Sequence, residues 1–178
     1  MPPRRLPRRR ADHSIERTLR RFCQATWKNS HKDPLLCYGS TTSSKGSITI
    51  LNLPRLENRT ENEPALWVRP DVDSDGRIVG TYPAYSVQNG DRFRAWVGCL
   101  ADSKGCNVQF ELKARLENGS TTSLGSWNEK YDGEVTAIDL DLSSLAGQKV
   151  QFVLSVTVIG GQPDKANAFW FMPRVENN

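Results

Sequence analysis

The stretch from Gly90 to Leu116, GDRFRAWVGCLADSKGCNVQFELKARL, limits the fold of this 178-residue chain more than any other. Phe93, Ala95, Val97 and Cys99 alternate with Arg92, Arg94 and Trp96. After a loop, Val108, Phe110, Leu112, Ala114 and Leu116 alternate with Gln109, Glu111, Lys113 and Arg115. A period of two places alternate residues on opposite faces of a strand, so the spacing predicts two strands, each with one apolar and one polar face. Cys99 and Cys106 enclose six residues, a loop short enough to bridge the strand ends.

Much of the remaining chain has the same character. Ser47 to Leu53, Ala65 to Val68, and Arg77 to Val87 with a break at Pro83 have strand composition. A short strand is expected at Trp127, and longer ones over Thr136 to Leu142, Val150 to Val158 and Ala168 to Val175, where Trp170 between Phe169 and Phe171 reads as core. Turn signals separate them: Gln88-Asn89-Gly90-Asp91, Asn118-Gly119, Tyr131-Asp132-Gly133 and Gly160-Gly161. Ser143 to Gly147 reads as a tight turn or a single helical turn closed by its glycine, and Trp27 to Ser47 reads as loop. About eight to ten short strands without helical periodicity indicate an all-β fold, an antiparallel β-sandwich of jelly-roll type. It is expected over residues 22–178, after a short basic arm of residues 1–21.

The formal charge of +4 is unevenly spread. Eight arginines stand against Asp12 and Glu16 in the arm, while the remainder carries slightly more acid than base. A short helix is expected over Asp12 to Thr26, with Asp12 as N-cap and arginine on one face. Such an arm either binds polyanions without sequence preference or is simply solvated, so no specific nucleic-acid partner is expected. MPPRRLPRRR has the basic start of a signal peptide, but no apolar run follows it, and no stretch is apolar enough for a membrane span.

Four cysteines allow three disulfide pairings. Loop shortness favours Cys23 with Cys37 and Cys99 with Cys106, an arrangement suited to an exported protein. No C-x-x-C is present and His13 and His31 are not spaced for a zinc finger, although reduced structural thiols fit the same positions.

Two motifs carry chemistry. Asp71, Asp73 and Asp75, followed by Gly76, form a D-x-D-x-D-G run in which alternate carboxylates converge on calcium. The twelfth position is Tyr82 rather than Glu, and a solvated acidic turn accounts for the same residues; calcium is therefore a candidate cofactor and no other is expected. Trp96 is the second: an outward indole beside Arg92 and Arg94 can stack a sugar ring, or can lie packed beneath another segment. Asp139 with Asp141, and Glu129 with Asp132 and Glu134, are neighbours on one strand or turn. Acid/base pairs of glycoside hydrolysis face each other across a cleft instead. With no nucleophile motif either, no catalytic residue and no enzymatic activity are expected.

The runs GTYPAYSVQNGDRFRAWVGC, LGSWNEKYDG, DLDLSSLAGQKVQFVLSV and AFWFMPRV together resemble a jelly-roll accessory module of exported bacterial proteins. The DLSSLAGQ piece is also similar to galactose-binding-like and carbohydrate-binding-like jelly rolls. The resemblance spans roughly Phe22 to Val175 and implies an extracellular or cell-surface, non-catalytic module. The leading expectation is a glycan partner at Arg92, Arg94 and Trp96. The alternative is a structural or adhesive block that contacts neighbouring protein domains, and a further one is polyanion binding through the arm.

Overall fold

The computed structural model describes residues 22–72 and 75–177. The arm of residues 1–21, most of the helix expected over 12–26, and Asp73 lie outside the described residues. Twelve strands follow in order: β1 (Thr26–Asn29), β2 (Pro34–Leu35), β3 (Ser47–Leu51), β4 (Ala65–Arg69), β5 (Arg77–Thr81), β6 (Tyr85–Ser86), β7 (Asp91–Cys99), β8 (Asn107–Leu116), β9 (Thr121–Lys130), β10 (Thr136–Asp141), β11 (Lys149–Val158) and β12 (Ala168–Asn177). One sheet has the order β2-β1-β5-β11-β8-β9, with β6 pairing β11 beyond the end of β5; the other has the order β10-β7-β12-β4-β3. All strand pairs within the sheets are antiparallel, an arrangement that accommodates one wet and one buried face on each strand.

The two long strands read from the sequence face each other across the core. Phe93, Ala95 and Val97 of β7 are buried against Val108, Phe110, Leu112 and Ala114 of β8, with Phe152 and Leu154 of β11 beside them. Trp170 is fully buried at the centre; the rings of Phe110 and Phe93 meet it edge-on at centroid distances of 5.2 and 6.4 Å. Burying one indole of this size contributes roughly 4–6 kcal/mol, so this aromatic cluster dominates the inter-sheet packing. The disulfides are Cys23–Cys37 and Cys99–Cys106, the pairing with the shortest loops.

Two expectations need correction. Trp27 to Ser47 is not all loop: β1 and β2 lie within it, because Trp27 pairs with Gly80 and packs its ring on that residue, a long-range partner that local composition does not announce. The strand at Trp127 is ten residues long rather than short, since as an edge strand it keeps polar residues on most positions. The outer face of β12 is dry at one end. Phe169 and Phe171 form a second apolar cluster there with Leu56, Ala65 and Leu100.

A bulge between Phe171 and Arg174 changes the phase of β12. Trp170 points into the core before it, and Val175 packs against the core after it. Met172 takes φ 49° at this step, and the irregularity brings Pro173, Arg174 and Val175 to the rim of a cavity between the sheets.

Candidate functional site

Each sheet presents one outer surface with candidate binding residues. On the smaller sheet, β10, β7 and β12 bring Asp139, Arg94 and Arg174 into one row. Arg94 stands directly opposite Arg174, and two carboxylates hold the like charges together. Asp139 accepts from Arg92 at 2.6 Å and lies 3.2 Å from Arg94, while Glu176 accepts from Arg174 at 2.8 Å and also from Arg94. Hydrogen bonds from Arg92 above all hold the Asp139 carboxyl below its usual range, and Arg174 does the same for Glu176. Trp96 is half-buried on this face. Its ring lies 5.8 Å from that of Phe171, and the Arg174 guanidinium sits 6.0 Å from its centroid. Arg92, Arg94 and Trp96 do share an outer face, as expected, but within a closed charge network rather than as an open aromatic platform.

The outer face of the larger sheet is built differently. Residue pairing across β1, β5, β11 and β8 aligns Lys28 with Val79 and Ser155, Thr26 with Thr81 and Val153, and Gln151 with Arg115. Short side chains, Val79 and Thr81, form a floor; Lys28, Arg77, Arg115 and Gln151 stand around it, and a groove of about 620 Å³ results. From Arg77 to Pro83 the groove follows about six residues of chain, roughly 20 Å at the rise of a strand. Gln151 donates to the Tyr82 carbonyl at 3.3 Å, which ties the groove wall to the residue at its end.

At that end the groove meets a second hollow of about 250 Å³, walled by Phe22, Tyr85, Phe93 and Phe152. Gln24, Tyr82 and Pro83 line both, so the two form one continuous surface. Asp91 secures this corner. It accepts from the Tyr85 hydroxyl and the Gln88 N–H, each at 2.8 Å, and from Asn177 at 3.0 Å. Burial pushes the Asp91 carboxyl up, but these donors outweigh it and leave its pKa lowered. The Tyr82 hydroxyl is buried with no hydrogen-bond partner among the described residues, and burial pushes its pKa up.

The carboxylates singled out in the sequence are also accounted for. Asp71 is fully buried: it accepts from the Arg77 N–H at 2.9 Å and from the Ser30 hydroxyl, with His31 Nδ1 3.7 Å away. Its carboxylate is engaged with the β1–β2 turn, and Asp75 lies on the exposed side of the same loop. Glu129 is buried and accepts from Thr136, close to Asp132 and Glu134. Burial first, then the neighbouring carboxylates, push its pKa up. Glu57 reaches this corner from a distant loop and accepts from the N–H groups of Asp132, Gly133 and Glu134 at 3.0, 2.8 and 3.2 Å. Among the described residues, no three acidic, histidine or cysteine side chains are arranged to hold a metal ion.

Sequence reasoning missed Gln24, Lys28, Arg77 and Gln151 as surface partners. Arg115 was readable as an outward residue of β8, but its neighbours come from β11, β5 and β1, whose order no local pattern encodes.

These features define a class by fold: an antiparallel β-sandwich similar in architecture to carbohydrate-binding modules. A family 61 carbohydrate-binding module solved with β-1,4-galactotriose is similar at a TM-score of 0.55 and 11% identity, over 94% of this chain and 97% of that one. The family 51 module of a Clostridium perfringens GH95 protein, solved with methyl-galactose, gives 0.50 and 14% over 70% and 79% of the two chains. The CBM22-1–GH10 modules of Clostridium thermocellum endo-1,4-β-D-xylanase 10B, solved with xylohexaose, give 0.50 and 11% over 88% of this chain and 27% of that longer one. At such identities the likeness is one of fold. No protein-family model and no curated protein sequence matches the chain.

Proposed function

We propose that this chain is a non-catalytic carbohydrate-binding module of an exported protein, and that its glycan lies along the groove with one sugar ring at the Tyr82–Tyr85 hollow. The observation that carries the reading is the continuity of an aromatic-walled cavity with a polar groove through Gln24, Tyr82 and Pro83. A sugar presents an apolar ring face and a rim of hydroxyls, and such a surface offers partners for both. The similar modules solved with galactotriose, methyl-galactose and xylohexaose support a glycan as ligand. Two disulfides support an oxidising, extracellular location.

Calorimetric titration with galactan and xylan oligosaccharides tests this. Gln24 is exposed at the junction, so Gln24→Trp blocks the surface without disturbing the core. Binding is expected to disappear in that variant with the melting temperature unchanged. The half-buried Trp96 beside Arg174 supports a second reading, in which the sugar stacks on the smaller sheet. Binding that survives Gln24→Trp and vanishes in Trp96→Ala moves the site there, and a folded protein that binds none of these glycans refutes both readings.

A further inference from the structure

We infer that the groove on the larger sheet selects anionic polysaccharides, chains bearing carboxylate or sulfate groups, over neutral ones; this rests on the glycan-binding reading above. Among the described residues four cations line the groove, Lys28, Lys32, Arg77 and Arg115, and no carboxylate does. Among the described residues none of the four forms an ion pair, and the Arg77 Nε is buried without a hydrogen-bond partner.

The rest of the surface differs from the groove. On the smaller sheet Arg92, Arg94 and Arg174 are each paired with Asp139 or Glu176. Acids near the groove are already committed elsewhere: Glu111 to Lys113 at 2.5 Å, Asp33 to Lys45 at 3.6 Å, and buried Asp71 to the Arg77 N–H and the Ser30 hydroxyl. A single-sign groove focuses its field along its length and raises the local concentration of a ligand of opposite charge. Arg77 and Lys32 stand toward one end, Lys28 in the middle and Arg115 beside the aromatic hollow. The cations are therefore spread along the path of a chain rather than gathered for one anion. The guanidinium groups of Arg77 and Arg115, which line the groove, match the planar, two-oxygen geometry of a carboxylate or sulfate.

The test uses the full chain against four probes: polygalacturonate, dextran sulfate, galactan and double-stranded DNA. Polygalacturonate or dextran sulfate is expected to bind at least roughly tenfold more tightly than galactan at low salt, with the preference shrinking as salt rises. The first two arms tell which anion is preferred. Lys28, Lys32 and Arg115 are exposed, so the Lys28→Gln, Lys32→Gln, Arg115→Gln triple variant keeps its fold and is expected to lose the preference for acidic chains; a preference left unchanged in that variant overturns the inference. Equal affinity for acidic and neutral chains overturns this inference but leaves the glycan-binding reading standing. Loss of the preference in an Arg8→Gln, Arg9→Gln, Arg10→Gln variant, with the groove intact, transfers the effect to the arm and overturns the assignment. DNA bound as tightly as the acidic glycans overturns the ligand class, and failure of every glycan to bind removes both readings.

Discussion

Gly80→Ala is a one-atom perturbation that connects β1, the core and the proposed surface. A Cβ at position 80 lies 2.3 to 2.5 Å from three carbons of the Trp27 ring, where carbon contacts normally sit about 3.5–4.0 Å apart. Trp27 has little room to yield. It is 2% exposed, its N–H donates to the Phe22 carbonyl at 2.9 Å, and its ring meets Tyr82 edge-on at 6.2 Å. Overpacking costs about 1–3 kcal/mol, and pulling the indole off the Phe22 carbonyl adds about 1 kcal/mol. The total, about 2–4 kcal/mol, lowers the melting temperature by roughly 4–16 °C for a domain of this size. Thermal unfolding with the disulfides intact measures it. The displaced ring also disturbs Phe22 and Tyr82, so glycan binding is expected to weaken at temperatures where the variant is still folded. Pairing Gly80→Ala with Trp27→Leu should return part of the loss, because a smaller side chain accommodates the methyl group and the two changes share one contact. A melting temperature for Gly80→Ala within about 2 °C of the parent refutes the close approach as described.

Three further outcomes are expected. Replacing Cys99 and Cys106 by serine removes a closure seven residues long and costs about 2 kcal/mol by loop entropy, whereas the fourteen-residue closure of Cys23 and Cys37 is worth about 3 kcal/mol; denaturant titration of the two double variants gives the order. Glu129 has a raised folded pKa, so its ionisation works against the folded state as pH rises from the unfolded value through the folded one. Glu129→Gln keeps an acceptor for Thr136 and is expected to melt above the parent at pH 7, with the difference closing toward pH 4; a constant difference across that range counts against burial as the cause. For calcium, the engaged Asp71 carboxylate predicts an unchanged melting temperature in excess metal and after chelation, and a rise with calcium assigns a metal site to residues 71–75.

The positions of β7, β8, β10 and β11, their buried faces, the burial of Trp170 and the two cysteine pairings were all legible in the sequence. Alternation is a local property: each strand carries its own pattern whatever it pairs with, and closure of a short cysteine loop depends only on separation. Strand order is not local. β1 was hidden because four residues with Trp27 and Asn29 buried make sense only when laid against Gly80 and Ile78. The setting of Trp96 turned on Phe171 and Arg174, some eighty residues downstream on the neighbouring strand. Lys28, Arg77, Gln151 and Arg115 share a groove only because β1, β5, β11 and β8 are adjacent. Hydrogen-bonded pairing between strands is chosen by packing over the whole sheet, which is why the sequence alone determined what the strands are and the tertiary structure decided what surface they make.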